Sequence, residues 1–306
     1  MSFTKDCVKT LRGTRILVTG GNSGLGFETV KIFATKDAEV IIAVRSIERG
    51  NAAVAKIKVE FPNSNITVME LDLSSQESIK TFSKNFHNKY DTLHILLNNA
   101  GVMTTPYGLT KDGLETQQGI NHFGHFLLTN LLFDIIKKTK DARIVSVSSL
   151  AHKFGASIDF DNLLYAEGKG YNKAKAYSRS KLENLLFIYE LDRRIKDKGL
   201  SVEVFAAHPG VSKTNLGRHL KQNWMSKLIN FFQVFFSHPA SKGCMPLFRA
   251  CTDLAAKSGE FYGPNGFMQF KGDPVIVKSS KLSHDLEVAK KLWTYSEEVT
   301  HTKFNI

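Results

Sequence analysis

Tyr177 and Lys181 stand four positions apart in "AYSRSKLENLLF", residues 176–187. On a helix, positions i and i+4 lie one above the other on a single face. A phenol and an ammonium in that relation have a chemical use. A phenol with its ordinary pKa of about 10 exchanges protons poorly at neutral pH, and an adjacent positive charge lowers that value. The spacing also arises by chance in long chains, so the rest of the sequence must supply the context.

That context is an alternation of short apolar strands and helices. "TRILVT" (14–19), "EVIIAV" (39–44), "NITVMEL" (65–71), "LHILLNN" (93–99), "ARIVSVSS" (142–149) and "SVEVFAAH" (201–208) are strand-like runs. Helical spacing fills the intervals at 25–36, 47–61, 76–90, within 114–138 and at 176–187. Continuous apolar strands between helices predict βαβ units and a parallel sheet covered on both faces. The expected fold class is α/β: a doubly wound, Rossmann-type parallel sheet in three α/β/α layers, one domain over 1–306. Such sheets bind ligands at the carboxyl ends of their strands.

The strand ends hold the candidate residues. After the first strand, "TGGNSGLG" supplies Gly20, Asn22, Ser23, Gly24, Leu25 and Gly26. Glycines in a turn that opens a helix let backbone N–H groups approach a pyrophosphate. After the second strand, where an enzyme using NAD usually carries an acid for the ribose 2′-OH, stand Val44 and Arg45. An arginine suits a 2′-phosphate, which points to NADP(H) ahead of NAD(H); a solvated surface arginine is the plain alternative. Asp72 and Leu73 follow the third strand, with Asp72 placed for an adenine edge or for capping the next helix. Asn99, Ala100 and Gly101 follow the fourth, Ser148 and Ser149 the fifth, and Pro209, Gly210 and Val211 the sixth.

Composition sets limits on partners. The 306 residues carry a net charge of +12, with a pI of about 9.5. The lysines are scattered without a basic run, so the charge fits an anionic cofactor or an anionic membrane surface and no nucleic-acid partner is expected. Three cysteines, Cys7, Cys244 and Cys251, without a CxxC, argue against a disulfide framework or a zinc site and for a reducing compartment. His122 and His125 read as packed or solvated, not as a metal pair. "MSFTKDCVKTLRGTRILV" has no apolar signal region, and no run reaches the ~18 apolar residues of a spanning helix. The expectation is a cytoplasmic protein, soluble or peripherally attached to a membrane.

Together these pieces resemble the classical short-chain dehydrogenase/reductases, over about residues 12–270. "TGGNSGLG", "NNAG", the serine after the fifth strand, "YSRSK" and "HPG" stand in the family's order. "INHFGHFLLTNLL", "RIVSVSSLAH" and "AAHPGVSKTNL" are most similar to the retinol dehydrogenase and WW-domain oxidoreductase branch. The resemblance implies that Tyr177 is the general acid/base and that Lys181 lowers its pKa and holds the nicotinamide ribose. It implies that Ser149 binds the substrate oxygen and that Asn121 helps hold a relay water. Pro209, Gly210, Val211 and Thr214 would approach the nicotinamide. The implied activity interconverts an alcohol and a carbonyl on a small lipophilic molecule such as a retinoid, a steroid-like compound or a long-chain aldehyde. Reduction of another carbonyl or activated double bond, and non-catalytic NADP(H) binding, are the alternatives. Homodimers are common in the family, though the face of 114–138 could equally pack internally.

Two further segments carry expectations. Residues 212–246 follow the family's substrate-loop position. Within them Trp224, Leu228, Phe231 and Phe235 form an apolar stripe flanked by Arg218, Lys221 and Lys227. The segment reads as a lid over a greasy pocket that could rest on an anionic bilayer; a helix packed on the core is the alternative. The C-terminal stretch 280–299 reads as a helix docked by Leu286, Val288, Leu292 and Trp293.

Overall fold

A computed structural model describes residues 3–211 and 238–306. Its centre is one eight-stranded sheet in the order β3-β2-β1-β4-β5-β6-β7-β8. The strands are β1 (Arg15–Thr19), β2 (Glu39–Val44), β3 (Asn65–Glu70), β4 (Ile95–Asn98), β5 (Arg143–Val147), β6 (Glu203–Ala207), β7 (Phe261–Pro264) and β8 (Pro274–Ile276). β1 to β7 pair in parallel and β8 pairs antiparallel to β7. The order reverses between β1 and β4, and the crevice at that switch point is where such a sheet binds ligands.

Alternation along the strands feeds two cores. Leu17, Ile41, Leu96 and Ile144 face α3 (Gln76–Lys89), α5 (Gly124–Lys138) and α6 (Lys173–Asp197) in one cluster with Phe82, Phe126 and Phe187. Ile16, Val40, Leu97 and Val145 face the other layer, with Phe33 of α1 (Gly24–Ala34) and Phe248 of α7 (Met245–Thr252). A strand buried on both faces must be apolar throughout, which is why these runs were legible as strands.

Serines set two helix starts. Ser46 Oγ accepts the Arg49 N–H at 3.2 Å and begins α2 (Ile47–Glu60). Ser75 does the same for α3 with Ser78, also at 3.2 Å. The cap of α3 is therefore Ser75 and not Asp72. Asn172 caps α6 through the Ala174 and Lys175 N–H groups at 3.0 and 3.1 Å, so α6 starts before the expected segment and runs beyond it.

The helix expected within 114–138 is interrupted. A short α4 (Thr116–Gln118) passes into a π turn, Gly119–Phe123, before α5. The outer side of α5 is covered by the chain itself: Phe304 packs on Phe126 and Phe133, and Trp293 of α8 (Leu286–Val299) packs on Phe126. In α8, Ala289, Leu292 and Trp293 are buried, whereas Leu286 is 48% exposed at the first turn and does not dock. Of the expected lid, 212–237 lie outside the described residues, with Thr214 and the aromatic stripe among them. Ala240–Gly243 form a helical turn, and Cys244, between it and α7, is fully buried against the α1 layer. Among the described residues no helix is long and apolar enough to cross a membrane.

Candidate active site

A cavity of about 760 Å³ opens along the carboxyl ends of the strands. It is lined by each described cofactor candidate: Gly20, Asn22, Ser23, Gly24, Leu25, Gly26, Arg45, Asp72, Leu73, Asn99, Ala100, Gly101, Tyr177, Lys181, Pro209, Gly210 and Val211. Ser149 lines it as well.

The β1 end is built from backbone. Gly20 and Gly24 take positive φ, +67° and +56°, so the chain folds back at the head of α1. A Cβ on Gly26 would lie 2.5 Å from both Gly20 O and Asn99 Nδ2, so only glycine lets α1 approach this closely. Ser23, the residue before α1, makes no side-chain cap. An uncapped helix N-terminus of eleven residues, facing a cavity, presents amide donors and a positive dipole end to an anion.

Thr19 joins this turn to the loop after β4. Its Oγ1 accepts the N–H groups of Asn99 and Ala100, each at 2.9 Å. Asn99 Nδ2 donates back to Thr19 O at 2.8 Å. His125 Nδ1 faces Asn121 O at 3.1 Å, a carbonyl that only accepts, so its Nε2 accepts from the Thr19 hydroxyl at 2.9 Å. His122 meets Ser296 Oγ at 2.9 Å. Burial pushes the His122 pKa to about 3 and that of His125 to about 4.

Beyond β2, Arg45 and Arg49 both reach the cavity with Ser46 between them. Neither forms an ion pair among the described residues. Arg49 was missed in the sequence; its position four residues after Arg45, across a serine cap, was the available signal. Asp72 accepts from Ser74 N–H and Oγ at 3.0 and 2.7 Å and pairs with Lys111 at 3.2 Å. Partial burial opposes its ionisation, but these donors hold its carboxyl below the usual range.

The other end is built from side chains. Tyr177 lies near the start of α6, half-buried, with the Ser149 side chain near its hydroxyl. Lys181, one turn on and 5% exposed, donates to Val147 O at 2.9 Å; its Nζ lies 5.9 Å from the Tyr177 ring centroid. Ser148 turns away and donates to Lys181 O at 2.8 Å. Asn121 sits in the π turn, where its side chain accepts from Val102 N–H at 2.8 Å and donates to Val102 O and Ser180 Oγ, both at 2.9 Å. It does not line the cavity; it anchors the loop that does.

The pKa directions differ from the sequence expectation. Burial raises the Tyr177 phenol, with the nearby Ser149 side chain opposing, and burial lowers Lys181 to about 8. Both groups lose hydration here, and burial disfavours the charged form of each. The phenol therefore holds its proton at neutral pH.

The remaining cavity surface is largely apolar near these groups: Met103, Leu150, Phe154 and Phe270 contribute. The arrangement offers an anion-binding turn, a pair of guanidinium groups and a Ser–Tyr–Lys set with a buried lysine along one cavity. Among the described residues no group of His, Cys, Asp and Glu could hold a metal ion.

Comparison with known proteins bears on the family and the fold. The family model for short chain dehydrogenase matches residues 14–158. Human retinol dehydrogenase 11 is 44% identical over 230 residues, 74% of this chain and 70% of the relative. Mouse retinol dehydrogenase 14 is 37% identical over 300 residues, 94% and 86% of the two chains. A crystal structure of an uncharacterised protein from Mycobacterium paratuberculosis superposes with a TM-score of 0.81 at 32% identity, covering 100% of both chains. A Shigella flexneri short chain dehydrogenase solved with NADP superposes at 0.63 with 20% identity, covering 83% of this chain and 98% of its own, and shares the fold.

Proposed function

The chain belongs to the short chain dehydrogenase family, and from that premise we propose an NADP(H)-dependent oxidoreductase that interconverts an alcohol and a carbonyl on a lipophilic substrate. The observation that carries this reading is the contact of Ser149 with Tyr177, one helical turn from Lys181, in the cavity that the Gly20–Gly26 turn opens at its other end.

The amides at the head of α1 would hold the pyrophosphate, and Arg45 with Arg49 the 2′-phosphate. Asp72 and Leu73 border the adenine position, and Asn99 to Gly101 line the middle of the cavity. Lys181 and Tyr177 would take the ribose hydroxyls, and Pro209 to Val211 the ring. When bound, the nicotinamide supplies the hydride. Tyr177 gives its proton to the substrate oxygen in reduction and takes it back in oxidation. Ser149 donates a hydrogen bond to that oxygen where charge develops. Lys181, held by Val147 O, keeps a donor beside both.

The apolar lining at Met103, Leu150, Phe154 and Phe270 favours a lipophilic substrate, and relatives named retinol dehydrogenases support a retinoid as the first compound to try. The whole chain acts as one unit in this reading. The deciding experiment is a panel of short and long aldehydes and ketones, retinal included, with NADPH and with NADH. Turnover that rises with apolar chain length and prefers NADPH supports the proposal. Tight NADPH binding without turnover of any carbonyl would remove the catalytic reading, and a preference for NADH would remove the cofactor assignment.

A further inference from the structure

Two buried histidines lie behind the reaction end of the cavity and take no part in the proposed proton exchange. His152 is 2% exposed and His208 fully buried. Both rings meet Phe261, at centroid distances of 5.6 and 5.2 Å. Each uses both nitrogens, in opposite senses. His152 Nδ1 is hydrogen-bonded to Ser149 O, a carbonyl that only accepts, so Nδ1 carries the proton. Its Nε2 then accepts the Ser280 N–H at 3.2 Å. His208 Nδ1 accepts the Gly210 N–H at 3.1 Å, which leaves the proton on Nε2 for Gln269 Oε1, also at 3.1 Å. A ring that both donates and accepts is neutral. Burial agrees, pushing His152 to about 4 and His208 to about 3.

The partners are not arbitrary. Ser149 is the residue whose side chain lies near the Tyr177 hydroxyl in the cavity, and Gly210 lies in the turn Pro209–Val211 that lines it. Ser280 and Gln269 belong to the connections around β8, and Phe270, next to Gln269, lines the cavity and accepts the Val211 N–H at 2.8 Å. Each imidazole thus ties one wall of the reaction end to the C-terminal part of the chain.

We infer that His152 and His208 are positioning residues for the reaction: two neutral imidazoles in opposite tautomers that fix the backbone at Ser149 and Gly210 against the segment 267–280. This rests on the role proposed for Ser149.

Long-range ¹H–¹⁵N correlation spectra of the whole protein at neutral pH test the geometry without any activity. The expected result is an Nδ1–H tautomer at His152 and an Nε2–H tautomer at His208; the same tautomer at both, or a charged ring, overturns the inference. Kinetics test the positioning. His152→Leu should lower kcat about 10- to 100-fold, the scale of a misplaced catalytic group, while the NADPH dissociation constant stays within about twofold. His152→Asn, whose amide can still donate to Ser149 O, should recover most of the loss. His208→Leu and His208→Asn, which can still accept from Gly210, should differ in the same direction. Leu and Asn variants that lose kcat equally, in step with their melting temperatures, would make the two rings ordinary core. Ser149→Ala separates this inference from the proposed chemistry. If it keeps kcat while His152→Leu loses it, the role of Ser149 fails and the positioning stands. If it loses kcat while His152→Leu keeps it, the inference alone fails.

Discussion

The two ends of the cavity are made of different material. At the β1 end the surface is backbone, shaped by glycines and an uncapped helix start. At the β5–α6 end it is side chains, Ser149, Tyr177 and Lys181, set by a capped helix and by carbonyl partners. A backbone surface can be altered only by changing volume or conformation, so a change there should reach cofactor binding through the fold. A side-chain surface can lose one functional group with the fold intact.

The largest expected effect sharpens that contrast. Tyr177→Phe removes a hydroxyl and no packing, and turnover should fall ~100-fold or more with NADPH binding kept. Retention of more than about a tenth of the activity would end the acid/base assignment. Gly26→Ala is the counterpart at the other end. Its Cβ must displace Gly20 O or Asn99 Nδ2, and overpacking of this kind costs about 1–3 kcal/mol. Cofactor affinity and melting temperature should drop together in calorimetry, and loss of either one alone would break the comparison.

Arg45→Ala takes a side chain from the rim of the backbone end, so it should act without a stability change. A charge-assisted hydrogen bond is worth about 1.5–3 kcal/mol, so NADPH should bind roughly tenfold or more weakly and NADH unchanged. Equal losses for both cofactors would reduce Arg45 to a surface charge. The remaining expectation concerns pH. His122, His125, His152 and His208 have folded pKa values of about 3 to about 4, below the ordinary value of 6.5. The unfolded chain takes up those protons first, so their contribution to stability is complete above about 6.5 and is lost as pH falls toward about 4. Melting temperature should begin to decline below pH of about 6.5, ahead of the carboxylate range, and a flat profile from about 7 to about 5 would contradict the burial of these rings.

Residue order made much of this legible in advance. The buried strands were visible because both faces demand apolar residues, and the motifs at their ends were visible because parallel sheets put chemistry there. β7 and β8 were not, since four and three residues with Pro264 and Pro274 among them give no periodicity. Leu286 satisfied a helical pattern but lies in the first turn of α8, outside the packed stretch. Thr19 and His125 gain their meaning from neighbours far along the chain, as do the links from His152 to Ser280 and from His208 to Gln269. The direction of the Tyr177 pKa depended on how deeply both partners are buried, which spacing on a helix does not encode.

The π turn at Gly119–Phe123 bears on what kinds of genetic change this stretch could survive. A π turn holds one residue more than an α turn, and it brings Asn121 to Val102 while α5 beyond it keeps its own facing. Deleting one residue of the turn would let it close as an α turn, breaking the link from Asn121 to Val102 while everything after it keeps its facing. His125 would stay at Thr19, and Phe126 and Phe133 at Phe304. Here a single-codon deletion is absorbed by the turn, whereas the same deletion inside α5 would rotate every later residue by about 100°.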